Sequence, residues 1–230
     1  MKSFGYLLLL VPLTWWACKE PSPSAQTTPN SEQTTATNDT LLENPYIDKM
    51  YEGPERLVWQ KPELVIGIMG DLNNKTVADL GAGTGYFALR LAPLAKKVIA
   101  IDINDHFLNY IDSVKVMQLP TDIQPRLETR LAKPDDPMLN TGEADVVLIV
   151  NTFMFIQDKV GYLRSLLADL PSGGKVIVID FKRKRTPLGP PAELRIPLYL
   201  VEEFFYQAGY RNIQTIDTAL EYQYIVIAEK

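Results

Sequence analysis

The stretch "VADLGAGTGYF" (77–87) decides the fold of this 230-residue chain. A short apolar segment containing Asp79 runs directly into Gly81, Gly83 and Gly85, and an apolar helical pattern follows. Glycines at such a junction let the backbone turn sharply and approach a ligand, because no Cβ stands in the way. The stretch therefore predicts a strand, a ligand-binding loop and a helix.

The rest of the chain continues this alternation of apolar strands and helices. The predicted strands are 75–80, 97–102, 126–130, 144–151 and 174–181, and the predicted helices are 86–94, 106–117, 161–170 and 199–210. Strands that are apolar on both faces and separated by helices predict a parallel sheet covered on both sides. Two final runs, 211–217 and 221–230, are joined by a short turn and predict an antiparallel hairpin. The expected fold is α/β and Rossmann-like: a doubly wound, mostly parallel seven-stranded sheet with a C-terminal antiparallel hairpin.

Two aspartates flank the glycine loop. Asp79 stands near the end of an otherwise apolar strand, where a carboxylate is costly unless it meets donors or a cation. Asp102 ends the second strand, at the edge where doubly wound folds bind ribose. Together with the loop, the two side chains predict a nucleoside site.

The loop does not fit a dinucleotide fingerprint, which requires glycine where Tyr86 stands. Asp79 would also repel a pyrophosphate at the helix N-terminus, whereas it would attract a cationic ligand. The motif "DLGAGTG" (79–85) resembles the first motif of class I S-adenosylmethionine-dependent methyltransferases, a family with the same seven-stranded sheet. The resemblance covers about residues 45–230.

The resemblance implies S-adenosylmethionine as the cofactor and assigns a role to each matching residue. Gly81, Gly83 and Gly85 would surround its methionine portion, with Asp79 as the acidic motif residue, and Asp102 would bind the ribose hydroxyls. Asp135 or Asp136 would meet the adenine amino group, and the sequence does not choose between them. Asn151, at the end of the fourth strand, would face the transferred methyl.

A closer resemblance joins three further segments to a methyltransferase subgroup. They are "WQKP" (59–62), "GPP" (189–191) and "YQY" (222–224). In that subgroup the segment before the first strand caps the cofactor, which makes Trp59 and Gln60 candidate lid residues.

The segment after the fourth predicted strand, where the methyl acceptor would bind, differs from the pattern of the family. Relatives often carry a polar, His-containing run after strand four, where this chain has "NTFMFI" (151–156). No general base is evident, since the single histidine, His106, is expected at the surface or as a helix cap. Proximity and desolvation can supply much of the acceleration of methyl transfer. Phe153, Met154 and Phe155 suggest an apolar acceptor pocket.

Composition narrows the function further. The net charge of −5 argues against nucleic acid as a partner, and one cysteine with one histidine argues against a Cys/His metal site. We expect no metal and a monomer. The basic run "FKRKR" (181–185) reads as a solvated loop or as a contact for an anionic acceptor or lipid headgroups.

The N-terminus predicts export. Lys2 precedes an apolar segment over 4–17, which is too short to span a bilayer and suits a signal peptide. The single cysteine, Cys18, follows at the position where bacterial lipoproteins are lipidated, although Trp15 and Trp16 fit that motif poorly. A plain signal peptide or a short anchor is the alternative.

The predicted organisation is a signal peptide over 1–17, a lipidated Cys18 and Ser/Thr/Pro-rich tether over 18–40, and a methyltransferase domain over 41–230. The predicted location is the membrane, on the periplasmic side or in the cell envelope. If residues 1–17 are not a signal peptide, the predicted location is the cytoplasm.

We expect a methyltransferase that acts on a small-molecule or lipid-like acceptor. The alternatives are a module that binds S-adenosylmethionine or S-adenosylhomocysteine without turnover, and a related transferase such as an aminopropyl transferase. An exported location favours the binding module, because S-adenosylmethionine is made in the cytoplasm. An aminopropyl transferase would need acidic residues at the acceptor site.

Overall fold

The computed structural model describes Gly53 and residues 55–230. The predicted signal peptide, Cys18 and the tether lie outside the described residues. The α-helices are α1 (Arg56–Gln60), α2 (Pro62–Met69), α3 (Ala88–Leu91), α4 (Asp105–Gln118), α5 (Lys159–Asp169) and α6 (Leu198–Ala208). The strands are β1 (Thr76–Leu80), β2 (Lys97–Asp102), β3 (Leu127–Leu131), β4 (Val146–Val150), β5 (Lys175–Phe181), β6 (Arg211–Ile216) and β7 (Gln223–Glu229). Two single-turn 3-10 helices lie at Gln124–Arg126 and Phe153–Phe155.

The strands form one seven-stranded sheet in the order β3-β2-β1-β4-β5-β7-β6. The pairings among β1 to β5 are parallel, and β7 is antiparallel to both β5 and β6. The chain winds outward from β1 to β3, then crosses to β4 and continues in the other direction. This confirms the predicted doubly wound sheet with its C-terminal hairpin, and it places the switch point between β1 and β4.

Both faces of the sheet are buried, as the apolar strands require. On one face, side chains such as Val98 and Leu148 pack against α2, α3 and α4. On the other, side chains such as Ile99 and Val178 pack against α5 and α6. Adjacent residues of one strand thus enter opposite cores, and the carboxyl ends of the strands are left as the open edge.

Two of the differences between predicted and observed bounds concern elements beside the open edge of the sheet. The helix expected over 86–94 is reduced to α3, because Pro93 cannot continue a helix and the residues before Ala88 form turns. The strand expected over 144–151 ends at Val150, because Asn151 adopts a left-handed conformation with φ of 58°. Asparagine tolerates that conformation better than most residues, and it turns the chain away from the sheet.

Candidate functional site

A cavity of about 250 Å³ opens at the carboxyl ends of β1, β2 and β4. Its walls include the glycine loop at 81–84, Asp102 and Ile103 after β2, Asn151 after β4, and Pro190 and Pro191 from the β5–α6 loop. This is the switch point of the sheet, where doubly wound folds bind their ligands.

The three glycines of the loop meet different needs. A Cβ on Gly81 would lie 2.2 Å from Thr152 Oγ1, and one on Gly85 would lie 2.9 Å from Ile111 Cγ1. A Cβ on Gly83 would meet nothing within 4 Å, and Gly83 lines the cavity. All three have positive φ. Gly81 and Gly85 are therefore required by packing as well as by the turn, and Gly83 alone leaves open space beside it.

Asp102 holds the loop in place. Its Oδ2 accepts a hydrogen bond from Gly83 N at 2.9 Å, and its Oδ1 accepts one from Asn104 N at 3.0 Å. Burial raises the pKa of this carboxyl, and the bonds from Asn104 and Gly83 oppose that shift. A carboxylate has about four acceptor positions, so Asp102 keeps acceptor capacity for a hydroxyl of a bound ribose.

Asp79 lies next to Leu80 and Gly81 of the cavity wall, is only 3% exposed, and its Oδ2 has no hydrogen-bond partner within the described residues. Burial raises the pKa of Asp79 to about 7, against the opposing effect of the Arg56 guanidinium. Arg56 itself lines the cavity from α1. Asp79 is not itself part of the cavity wall, but the charge of Arg56 acts on it. A carboxyl and a guanidinium that interact beside a cavity suit a ligand that carries an ammonium and a carboxylate.

Arg56 was not predicted from the sequence. Its guanidinium lies 3.8 Å from the centroid of the Tyr86 ring, whose other neighbour is the Arg90 guanidinium at 3.9 Å. The predicted lid residues Trp59 and Gln60 are buried instead: Trp59 packs against Phe181 with ring centroids 5.6 Å apart. The segment before the first strand does reach the site, but through Arg56 of α1, about one turn before Trp59 and Gln60.

Neither candidate for the adenine amino group lines the cavity. Asp135 is exposed, and Asp136 accepts a hydrogen bond from Met138 N at 2.7 Å, whereas the neighbouring Lys133 and Pro134 are in the wall. The roles proposed for Asp135 and Asp136 stay predictions.

The "FMF" run divides between the cavity and the core. Phe155 lines the cavity, while Phe153 is fully buried and stacks on Phe205 with centroids 6.3 Å apart and planes 11° apart. Met154 is 9% exposed and belongs to the buried side. His106 is exposed near the start of α4, where its backbone N–H donates to the capping side chain of Asn104.

Asp180 is a buried carboxyl that sequence reasoning missed. It is 1% exposed, and burial raises its pKa to about 8, against the opposing effects of the Met154 and Asn151 backbone amides and the Lys159 charge. The signal was available, since Asp180 stands in an apolar strand just as Asp79 does.

The part of the chain that the structure describes contains neither a membrane-spanning helix nor a cluster of metal-ligating side chains. Over Gly53 and 55–230, no helix has the length and hydropathy needed to cross a bilayer. In the same part of the chain, no group of His, Cys, Asp and Glu is placed to hold a metal ion.

The sheet order, the glycine loop and the aspartates around the cavity together define a class I methyltransferase fold. Residues 78–178 match the family model described as "Methyltransferase domain". This part of the chain is therefore similar to a methyltransferase domain, and the chain has the fold of the class I S-adenosylmethionine-dependent methyltransferases. A search of curated proteins found no match.

Solved structures show the same fold. A SAM-dependent methyltransferase from Aquifex aeolicus superposes with a TM-score of 0.72 at 23% identity, over 80% of this chain and 97% of that one. A putative O-methyltransferase from Nostoc punctiforme gives 0.63 at 20% identity, over 82% and 61%. Phosphoethanolamine N-methyltransferase 2 from Haemonchus contortus, in complex with S-adenosyl-L-methionine, gives 0.63 at 13%, over 75% and 52%.

Proposed function

We propose that this chain binds S-adenosylmethionine in the cavity at the switch point and transfers its methyl group to a small-molecule or lipid-like acceptor. The observation that carries the proposal is the position of two charged side chains beside the glycine loop. Asp79 is buried and has one carboxyl oxygen without a partner in the described residues, and Arg56, whose charge acts on it, lines the cavity. An amino-acid group brings an ammonium and a carboxylate, which suit these two side chains. A dinucleotide would bring pyrophosphate to the same place and would be repelled by Asp79.

The bound cofactor would supply an electrophilic methyl group attached to a sulfonium. The chain's own residues bind and orient: Asp79 and Arg56 would hold the amino-acid end, and Asp102 would hold the ribose hydroxyls. Of the described ionisable residues, those that line the cavity are Arg56, Asp102, Lys133 and Tyr162, and burial raises the pKa of the last. None of these is a neutral-pH base of the histidine type, so the site would act through proximity, orientation and exclusion of water.

The walls beside Asn151 support an apolar acceptor. The cavity wall includes Phe155 and Ile156, which follow β4, and Pro190, Pro191 and Leu194, which belong to the β5–α6 loop. An aromatic ring or an acyl chain would bury apolar surface against these side chains, which favours a small apolar or lipid-like acceptor over a sugar or a peptide.

The basic run supports a membrane-tethered enzyme. Lys182 is used internally, since its Nζ donates to Leu220 O at 2.9 Å, whereas Arg183, Lys184 and Arg185 are exposed. The buried guanidinium of Arg195 donates to Lys184 O at 2.8 Å and to Pro190 O at 2.7 Å, so it ties the basic run to the cavity wall. Each exposed cation near an anionic bilayer contributes about 1 kcal/mol of attraction.

Tethering through Cys18 is tested by mass spectrometry of the chain extracted from membranes. A lipidated chain beginning at Cys18 supports it, and an unprocessed N-terminus at Met1 counts against it. The Cys18→Ser variant, which cannot carry a thioether-linked lipid, is the control.

A binding module without turnover is the second candidate. The apolar run after β4 favours it, and so does the lack of a histidine among the described residues of the cavity wall. A structure titled as that of the [4+2]-cyclase SpnF shares the fold, with a TM-score of 0.61 at 14% identity. The fold alone therefore does not imply methyl transfer.

Calorimetry on the full-length chain in detergent tests the proposed function. We expect micromolar binding of S-adenosylmethionine and S-adenosylhomocysteine, at least tenfold weaker in Asp102→Ala because ribose contacts and the bond to Gly83 are lost. Asp122→Ala removes the same charge from an exposed turn and should bind as the wild type does. Absence of binding to the wild type would refute cofactor use. Binding without S-adenosylhomocysteine formation over an acceptor panel would favour the binding module.

A further inference from the structure

Four buried side chains form a continuous line of hydrogen bonds that ends at the cavity. Arg56 Nε donates to Gln60 Oε1 at 2.9 Å, Gln60 Nε2 donates to Gln223 Oε1 at 2.8 Å, and Gln223 Nε2 donates to Asn151 Oδ1 at 2.5 Å. We call these four residues the amide relay. Each is at most 7% exposed, and Gln60 and Gln223 are fully buried. The relay joins α1, β7 and the end of β4, elements that lie far apart in the sequence.

The first residue of the amide relay fixes its direction. A guanidinium can only donate, so Gln60 must present its oxygen to Arg56 and its nitrogen to Gln223. Gln223 must then present its nitrogen to Asn151, which accepts through Oδ1. The nitrogen of Asn151 is therefore left as the free end of the line. If any one of these amide groups were rotated by 180°, two donors or two acceptors would face each other.

That free end is an unsatisfied donor. Asn151 Nδ2 is buried and has no hydrogen-bond partner within the described residues, and Asn151 is one of the residues of the cavity wall. Asn151 also has φ of 58°, and its backbone N–H donates to Ile179 O at 2.9 Å. The side chain is held at both its oxygen and its backbone, which leaves little freedom for the amide to turn over.

We propose that the amide relay fixes a hydrogen-bond donor at the end of the cavity next to β4, so that the group bound there carries an accepting oxygen. This rests on the proposed function and names its acceptor class: an apolar body against Phe155 and Pro190, with a carbonyl, carboxylate or phenolate oxygen toward Asn151. Gln60 and Gln223 are positioning residues that act through Asn151.

Two conservative substitutions would reverse the polarity of the free end. In Gln223→Glu, the carboxylate still accepts from Gln60 Nε2 and can only accept from Asn151, so Asn151 must turn its Nδ2 inward and present Oδ1 instead. In Gln60→Glu, the carboxylate accepts hydrogen bonds from Arg56 and from Gln223 Nε2. Gln223 then presents its oxygen to Asn151, so Asn151 Nδ2 donates to it and Asn151 Oδ1 becomes the free end. Gln214→Glu adds the same charge on exposed β6 and is the matched control.

The probes are a pair of neutral molecules of similar size: acetophenone, whose carbonyl only accepts, and aniline, whose amine donates. Because both are neutral at pH 7, the added carboxylate affects the two similarly. Their binding to the full-length chain is measured by ligand-observed NMR, with and without S-adenosylhomocysteine. We expect the wild type and Gln214→Glu to prefer acetophenone roughly tenfold, which is the effect of one hydrogen bond. We expect Gln223→Glu and Gln60→Glu to prefer aniline.

An unchanged preference in a folded Gln223→Glu or Gln60→Glu variant would overturn the proposal. So would a wild type that shows no preference for acetophenone or binds neither probe, an outcome that does not depend on how the variants fold. Loss of S-adenosylhomocysteine binding is measured separately and bears on the proposed function. Failure of the inference about the amide relay can therefore be distinguished from failure of the proposed function.

Discussion

The ionisation of Asp79 should make cofactor affinity depend on pH. Burial raises the pKa of this carboxyl to about 7, so roughly a tenth of it is ionised at pH 6 and nine-tenths at pH 8. Only the ionised form attracts the ligand's ammonium strongly. The affinity for S-adenosylhomocysteine should therefore rise about tenfold from pH 6 to pH 8, which corresponds to about 1.4 kcal/mol.

Asp79→Asn removes the titrating group while nearly preserving its shape. Its affinity for S-adenosylhomocysteine should match that of the wild type at pH 6 within a few fold, be about tenfold weaker at pH 8, and show little dependence on pH. Calorimetric titrations at pH 6, 7 and 8 measure both proteins. The control ligand is 5′-methylthioadenosine, which retains the nucleoside and thioether but lacks the amino-acid group, and its affinity should not change with pH. Equal affinities of the wild type for S-adenosylhomocysteine at pH 6 and pH 8, or the same pH dependence for the control ligand, would refute the assignment.

Three further predictions concern stability and the loop beside the cavity. Because burial raises the pKa of Asp180 to about 8, the folded chain holds a proton that the unfolded chain releases above about pH 4, and the free energy of unfolding should fall as pH rises toward 8. Asp180→Asn should remove on the order of 3 kcal/mol of that fall between pH 5 and pH 8 in urea denaturation, and an unchanged pH profile would contradict it. Gly81→Ala should cost about 2 kcal/mol or more, because its φ is +72° and the added Cβ would meet Thr152; a wild-type melting temperature would show that the loop can adjust. Arg195→Met should free the carbonyls of the β5–α6 loop and speed tryptic cleavage there without changing the circular dichroism of the sheet, and an equal cleavage rate would be evidence against that role.

The sequence alone was enough to determine the sheet and to predict which side chains stand at its open edge. Strands such as "VVLIV" (146–150) are apolar on both faces, and this local pattern specifies burial between two layers of helices. Gly83 and Asp102 could be placed because the carboxyl ends of parallel strands must share an edge. Asp79 stood out since a carboxylate in an apolar strand is costly without a compensating partner.

Only the tertiary structure decided which side chains surround the ligand. Arg56 lies in a segment with little pattern, and its place at the cavity depends on how α1 packs against Tyr86 and on the hydrogen bond that Arg56 makes to Gln60. Phe153 and Phe155 stand two residues apart in the same apolar run, yet one enters the core and the other the cavity, because a 3-10 turn directs them differently.

The amide relay shows most clearly which features follow from the sequence and which follow only from the tertiary structure. Gln223 and Asn151 are 72 residues apart, and Gln60 and Gln223 are 163 apart. Local patterns specify which residues can be buried, since burial follows from the period of apolar side chains. The direction of a hydrogen bond between distant amides depends on which donors and acceptors the folded chain brings within about 3 Å of each other. A local sequence pattern does not specify which distant groups meet.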